Sequence, residues 1–271
     1  MDEIHKGEIH LQVYLAVTPG ELQQASKFCR SFAHVAYCIG PESTLLRQSL
    51  LLQTRGGLLS VTDRGAPLID RPEQLCAAAL RECGRRGYSG VLLDFEQPPT
   101  PDRLAFGERL AQALAAGRRP LFVPETYAKI PGAIPLICTA ISGGNFAEHL
   151  QESAARYGGS GRLALDVQRL QMDFQLPAES GEGRPLTGEA LRQLREQEDP
   201  SIFFSQDLCA RYFTYTRNGQ THFVLFDDGE TLQQKLRIGA GMGFSAAFLM
   251  YPEVSDLLPK LFPGQRPPAR G

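Results

Sequence analysis

The sequence predicts a (β/α)8 barrel, an α/β fold, with a small β-hairpin insertion before the last βα unit. Short apolar runs alternate with helical stretches along the chain, which is the pattern of parallel βα units. About eight strand-like runs fit into the 271 residues, a length at which single barrels are common. A doubly wound open sheet is the alternative, although no Gly-x-Gly-x-x-Gly or Walker sequence supports a nucleotide site.

The strands are predicted from apolar and β-branched runs that stop at turn residues. The first run covers 11–17 and ends in Thr18-Pro19-Gly20, and the second covers 34–39. The region 163–176 carries a further strand signal whose register stays open. The remaining predicted strands cover 57–62, 90–96, 120–124, 134–141 and 244–251.

The helices are predicted where apolar residues recur at intervals of three and four. The clearest one covers 71–86, with Pro72 near its start and Gly87 where a C-cap belongs. Asp227 and Asp228 are expected to form the N-cap and first turn of a later helix. The other predicted helices cover 21–32, 102–116, 146–157, 187–197 and 232–242.

The insertion is predicted from its turn chemistry. Two aromatic, β-branched runs, 212–216 and 221–226, flank Asn218-Gly219, and an Asn-Gly pair between such runs is the strongest short hairpin signal. No change of composition marks a second domain. We therefore predict one barrel domain over residues 1–262, with the insertion at about 200–228 and a disordered tail at 263–271.

Composition and charge exclude several functions. The formal net charge of −2 gives no broad attraction to nucleic acid or to an anionic membrane. The polar N-terminus lacks the pattern of a signal peptide and no apolar run approaches the length of a membrane span, so a cytoplasmic protein is expected. The six cysteines match no zinc spacing, and neither a metal nor a cofactor is expected. The absence of Trp counts against the binding of long sugar polymers, and the oligomeric state stays open.

The sharpest candidates for chemistry are Asp94 and Glu96. They lie two apart on a predicted strand, so their side chains point to the same face with Cα atoms about 6–7 Å apart. Both lie at the C-terminal end of that strand, where (β/α)8 barrels place their active sites. A protonated carboxyl beside a carboxylate can protonate a leaving oxygen while its partner stabilises positive charge. The alternative is a strand end with two solvated acids, or acids paired with arginine.

The segment 88–96, Tyr-Ser-Gly-Val-Leu-Leu-Asp-Phe-Glu, resembles the DGxDxDxE strand of glycoside hydrolase family 18, the chitinase-like (β/α)8 barrels. A second stretch, 209–251, is similar to the C-terminal third of that family, with its aromatic hairpin, acidic turn, Lys-bearing helix and final glycine-rich strand. The resemblance is strongest to the bacterial branch related to spore-germination and cortex-associated hydrolases. The first 85 residues agree with the family only in their βα layout.

The resemblance implies a glycosidase that hydrolyses a β-linked N-acetylhexosamine glycan, chitin-like or derived from peptidoglycan, by substrate-assisted retention. Glu96 matches the acid that protonates the glycosidic oxygen. Asp94 matches the aspartate that orients the substrate's N-acetyl group while its carbonyl oxygen attacks the anomeric carbon. A carbohydrate is thus the implied partner, and association with spores is implied by the same resemblance.

The sequence also departs from the family pattern. Ser89 and Leu92 stand at the positions of the family's first and middle aspartates, and 137–142 lacks the Met-x-Tyr-Asp of the sixth strand. Met250 or Tyr251 stands where the final strand usually ends in Trp. A catalytically degenerate barrel that binds carbohydrate or serves as an assembly protein is therefore the alternative. An arginine locked onto the acid would favour that alternative, and an open pocket faced by both carboxyls would favour the enzyme.

Further substrate-binding candidates lie near predicted strand ends, where each also has an ordinary interpretation as a loop or turn residue. Among them, an aromatic side chain at the end of the last strand is the best substitute for the missing indole. An unrelated barrel enzyme with another acid–base task, such as an isomerase, is a weaker third interpretation. The candidates are Glu125 and Tyr127, Met172 and Asp173, and Tyr251 and Glu253.

Overall fold

The computed structural model describes residues 11–48, 55–66, 68–177 and 183–262. The predicted tail 263–271 lies outside the described residues. Eight parallel strands form a closed barrel, because the first strand pairs with both the second and the eighth. The predicted (β/α)8 fold is confirmed. The barrel strands, in order, are Gln12–Val17, Phe32–Gly40, Leu58–Thr62, Gly90–Asp94, Leu121–Pro124, Ile134–Cys138, Ala164–Asp166 and Ala246–Met250.

Alternation along each strand separates the inside of the barrel from its outside. In the fourth strand, Leu92 lies inside the barrel in the same apolar cluster as Phe248. Its neighbours Val91 and Leu93 belong to the outer core, which the barrel shares with its helices. Asp94 follows Leu92 by two residues, so its carboxyl lies at the top of the barrel interior.

The helices pack on the outside of the barrel, and within the described residues two of the connections between barrel strands contain no α-helix. The second strand is followed by the antiparallel strand Thr44–Arg47, and the fifth by the 3-10 helix Glu125–Tyr127. The predicted helix 71–86 is confirmed, and Gly87 ends it in the left-handed conformation, with φ of 67°. The helices are Leu22–Ala25, Pro72–Arg86, Pro101–Ala116, Phe146–Arg156, Gly188–Glu198, Gly229–Gly241, Tyr251–Val254 and Leu258–Leu261.

The prediction of a helix over 21–32 is wrong beyond Ala25. The second barrel strand begins at Phe32, so the chain must turn back before that residue. Phe28 and Cys29 contact the outer core from this turn. The helical spacing of their apolar side chains therefore reflects packing against the barrel and not a continuous helix.

The insertion between the seventh and eighth barrel strands is larger than predicted. The hairpin is confirmed, with positive φ at Asn218 (53°) and Gly219 (75°). The predicted start near residue 200 is too late, because Gln171–Leu176 pairs with the second hairpin strand and belongs to the inserted sheet. The five strands of this sheet, in spatial order, are Arg184–Pro185, Gln171–Leu176, Gln220–Phe226, Ala210–Arg217 and Phe203–Ser205.

A buried ion pair lies where the chain returns from the insertion to the barrel. Asp227 accepts hydrogen bonds from Lys235 Nζ at 2.8 Å and from the Leu170 N–H at 3.0 Å. Lys235 is completely buried, and its Nζ lies 5.7 Å from the ring centroid of Phe146. Asp228 is the N-cap of the following helix, so the predicted N-cap and first-turn pair is displaced by one residue and Asp227 precedes the helix. Asp227 has the different task of compensating a buried charge.

In the described part of the chain, no helix combines the length and apolar character needed to cross a membrane. The described residues contain no group of three or more side chains that could hold a metal ion. All six cysteines are free thiols.

Candidate active site

A cavity of about 780 Å³ opens at the C-terminal ends of the barrel strands. Asp94 and Glu96 both line it, at the end of the fourth strand and the start of the loop that follows. Leu92 and Phe248 form part of its apolar lining. Five carboxyls and one guanidinium lie among its described lining residues. These charged residues are Asp94, Glu96, Glu125, Asp166, Glu253 and Arg64.

Asp94 is half-buried in this cavity. Burial raises the pKa of its carboxyl, the negative charges of Glu96 and Asp63 raise it further, and Arg64 opposes the shift. Desolvation is the largest of these effects, because the charged form loses water that the enclosed site does not replace. Asp94 therefore keeps its proton to a higher pH than an exposed aspartate does.

The Glu96 carboxylate is paired with Arg64. Nη2 of Arg64 donates a hydrogen bond to Oε1 at 2.6 Å, and Nε donates to Oε2 at 3.4 Å. The Arg64 side chain is 77% exposed and the Glu96 side chain is 50% exposed. An ion pair so open to water contributes little to stability, so a ligand can displace it at little cost.

The backbone of Glu96 is held from the third barrel strand. Asp63, the residue after that strand, is completely buried and accepts the Glu96 N–H at 2.8 Å. Its charge is compensated by Arg103, whose Nε donates to the same carboxylate at 2.9 Å. The Arg103 guanidinium also donates to the carbonyl of Ala66 at 2.9 Å. This buried network fixes where the loop after the fourth strand begins.

Comparison with known proteins gives structural matches only. No family sequence model and no curated protein matches the chain. A chitinase from Chromobacterium violaceum superposes with a TM-score of 0.66 at 14% identity, over 97% of this chain and 100% of that one. The spore cortex-lytic enzyme SleL of Bacillus cereus gives 0.64 at 17% identity, over 93% and 74% of the two chains. A family 18 chitinase from Cycas revoluta gives 0.63 at 12% identity, over 92% and 98%.

The chain has the fold of the chitinase-like barrels. The likeness to both chitinases and the cortex-lytic enzyme agrees with the resemblance seen in the sequence.

In this chitinase-like barrel, the two candidates after the fifth strand have different positions. Glu125 lines the cavity and accepts a hydrogen bond from the Tyr157 hydroxyl at 3.0 Å. Tyr127 is completely buried, and its hydroxyl donates to the Gln97 carbonyl at 2.8 Å. Its ring packs edge-on against Phe95 at 5.5 Å. The structure thus places Tyr127 beneath the loop of Glu96, where it supports that loop from inside the core.

The two candidates after the eighth strand, Tyr251 and Glu253, also have different positions. Glu253 lines the cavity and accepts the Arg169 N–H at 3.2 Å. Tyr251 begins the short helix after the strand and packs against the outer core. Met250 faces the cavity, because it lies two residues after the inward-facing Phe248. Met250 and Phe248 therefore occupy the place that Tyr251 was expected to fill.

Met172 and Asp173 lie in the inserted sheet and not on a barrel strand. Asp173 is buried, and its carboxylate contacts His222 Nδ1 at 2.9 Å. It accepts further hydrogen bonds from Tyr215 Oη at 3.0 Å and Arg184 Nη2 at 3.2 Å. These partners lie on three other strands of the insertion, so the Asp173 carboxylate links four strands of the inserted sheet by hydrogen bonds. The sequence leaves open whether Asp173 faces the barrel mouth or is a turn residue, because it does not define the register of this strand.

Three residues of the site were not found from the sequence. Asp63, Arg64 and Asp166 stand at or just after the ends of barrel strands, which is the signal that could have identified them. Burial raises the pKa of Asp166 to about 6, the Gln168 hydrogen bond lowers it, and the charges of Glu253 and Asp94 raise it.

Proposed function

We propose that the chain is a glycoside hydrolase of the family 18 type, acting on a β-linked N-acetylhexosamine glycan. The observation that carries this proposal is the open cavity at the catalytic end of the barrel, with the carboxyls of Asp94 and Glu96 both lining it. The structural likeness to chitinases and to cortex-lytic enzymes supports it.

The proposed reaction has two steps. Glu96 donates its proton to the glycosidic oxygen while the carbonyl oxygen of the substrate's own acetamido group attacks the anomeric carbon, and the bond to the leaving sugar breaks. Asp94 accepts the acetamido N–H and so orients that oxygen. Water then attacks the anomeric carbon from the vacated side and gives its proton to Glu96, while the bond between that carbon and the acetamido oxygen breaks and restores the acetamido group. The sugar is released with retained configuration.

The enclosed position of Asp94 suits this role. Its raised pKa reflects a site poor in water, where a hydrogen bond from the substrate's N–H is strong because water does not compete for it.

The inner support of the acid pair is weaker than in the family pattern. Leu92 stands at the position of the family's middle aspartate, and its partner in the third barrel strand is Ser60. The Ser60 hydroxyl is buried and has no hydrogen-bond partner. Leu92 supplies no carboxyl, and the Ser60 hydroxyl has no partner. We therefore expect a lower turnover number than that of an enzyme with the complete family motif.

A second candidate function is binding without cleavage. It is favoured by the Arg64–Glu96 pair, since a carboxylate that accepts hydrogen bonds at both oxygens is not ready to donate a proton. The exposure of this pair argues against a permanent lock, because an exposed ion pair opens at little cost. For that reason we favour the enzyme.

The substrate we propose is a short soluble glycan. The cavity, at about 780 Å³, suits one or a few sugar residues, and the sequence contains no Trp to stack a long polymer. Chitin oligomers and peptidoglycan-derived fragments are the two substrates to compare, since structural neighbours include chitinases and spore cortex-lytic enzymes.

The test incubates the protein with chitin oligomers and with peptidoglycan fragments and follows the release of reducing ends. Calorimetry on the same ligands measures binding in parallel. Release of reducing ends supports the enzyme. Binding without release supports the second candidate, and the absence of both contradicts the proposed function.

Replacing Arg64 with Gln is expected to raise the turnover number about two- to fivefold. In the free protein Arg64 donates to both carboxyl oxygens of Glu96, and the substitution removes a contact that the leaving oxygen must otherwise displace. Steady-state hydrolysis of a chromogenic N-acetylglucosaminide measures the effect.

Arg71→Gln is the matched control, because Arg71 forms a similarly exposed pair with Glu42 at 3.7 Å. The control should leave turnover unchanged. A tenfold loss of activity in Arg64→Gln would show instead that Arg64 binds the substrate.

A further inference from the structure

Asp166 is a carboxyl of the cavity that the reaction proposed above does not use. It ends the seventh barrel strand, and the strand register places it level with Cys138 at the end of the sixth. Its side chain lines the same cavity as Asp94. One oxygen accepts a hydrogen bond from Gln168 Nε2 at 2.7 Å.

The environment of Asp166 differs from that of the buried carboxyls of Asp63 and Asp227. Asp63 is paired with Arg103, and Asp227 is paired with Lys235. Within the described residues, no positively charged side chain forms an ion pair with Asp166. A carboxyl that serves only the fold gains nothing from such a site, because burial without a counter-charge destabilises the ionised form.

We propose that Asp166 is a substrate-binding residue, whose carboxyl accepts a hydrogen bond from a hydroxyl or acetamido N–H group of the sugar bound in the barrel mouth. This assignment rests on the proposed function. It explains why a carboxyl without a cation partner opens into the cavity, since the ligand supplies a further hydrogen-bond donor beside that of Gln168.

The groups that face Asp166 set its pH dependence. Glu253 follows the eighth strand and Asp94 ends the fourth, and both add negative charge. From the sixth strand, the Cys138 thiol faces it, and burial raises the pKa of that thiol. Arg64 is the positive charge among the described lining residues, and it is paired with Glu96. The proton of Asp166 therefore depends mainly on burial and on two carboxylates.

The first test is the stability of Asp166→Asn. The folded pKa of about 6 lies above the usual aspartate value of 3.8, so ionisation costs stability as pH rises through that window. Asparagine keeps the size of the side chain and an oxygen for Gln168. The variant should therefore melt several degrees above the wild type at pH 8, and the gain should vanish below about pH 4. Asp70→Asn, which removes an exposed carboxyl, is the control and should change neither value.

The second test is binding of the N-acetylglucosamine trimer, measured by calorimetry in a Glu96→Gln background that prevents turnover. Adding Asp166→Asn should weaken binding at least tenfold at pH 8, because a hydrogen bond to a charged acceptor is lost. A variant that is more stable yet binds less well is the expected signature, since a residue kept for the fold alone would give a less stable protein.

The outcomes separate this inference from the proposed function. Weaker binding by Asp166→Asn in a protein that never hydrolyses the trimer would reject catalysis and support Asp166 as a binding residue. Hydrolysis by the wild type, with unchanged binding or lowered stability in Asp166→Asn, would overturn the inference and leave the enzyme in place. No binding by the Glu96→Gln background at millimolar trimer would overturn both.

Discussion

Glu96→Gln is expected to reduce the rate of glycan hydrolysis by about 10²–10⁴-fold, because glutamine cannot donate the proton that the leaving oxygen needs. The fold should not change, since the Glu96 side chain is half-exposed and Asp63 holds its backbone N–H. Reducing-end release at saturating substrate measures the loss, and calorimetry should show that binding of the N-acetylglucosamine trimer persists.

Glu108→Gln is the matched control, because Glu108 is an exposed glutamate on the helix Pro101–Ala116 and lies outside the residues that line the cavity. Its activity should equal that of the wild type. If Glu96→Gln hydrolysed the glycan as fast as the control, Glu96 would not be the acid and the assignment of family 18 chemistry to this site would fail.

Lys235→Met is expected to lower the free energy of unfolding by about 3–5 kcal/mol, because it leaves the completely buried Asp227 without its counter-charge. Methionine fills a similar volume near Phe146, so the loss is electrostatic and not the result of a cavity. Urea unfolding at pH 7 measures the change.

A double variant, Asp227→Asn with Lys235→Met, should be more stable than Lys235→Met alone. The asparagine oxygen can still accept the Leu170 N–H, and no unpaired charge remains. Lys129→Met is the control for loss of an exposed lysine and should change stability by less than about 0.5 kcal/mol. A loss below about 1 kcal/mol in Lys235→Met would contradict the importance of the pair.

The barrel could be predicted because its signals are local. Each parallel strand is buried on both faces, so it appears in the sequence as a short apolar run closed by turn residues. The hairpin could be predicted for the same reason, since Asn218-Gly219 alone specifies the turn. Asp94 ends a strand and Glu96 follows it by two residues, and this spacing requires no knowledge of the rest of the fold.

What the sequence did not predict depends on partners far along the chain. Gln171–Leu176 belongs to the insertion because it pairs with Gln220–Phe226, about fifty residues later. Arg64 contacts Glu96 across 32 residues of sequence. Among the described residues Asp166 has no ion-pair partner, and no sequence pattern indicates the absence of a contact.

The contacts that hold the Glu96 loop leave the side chain at position 96 free to change during evolution. Asp63 accepts the backbone N–H of Glu96, and the Tyr127 hydroxyl donates to the Gln97 carbonyl. Neither contact uses the Glu96 side chain. The residue at this position is therefore interchangeable as far as folding is concerned. Under the proposed function, a single substitution can remove the acid while the barrel stays stable, and the reverse substitution restores it. The backbone contacts that hold the loop therefore do not depend on which side chain stands at position 96.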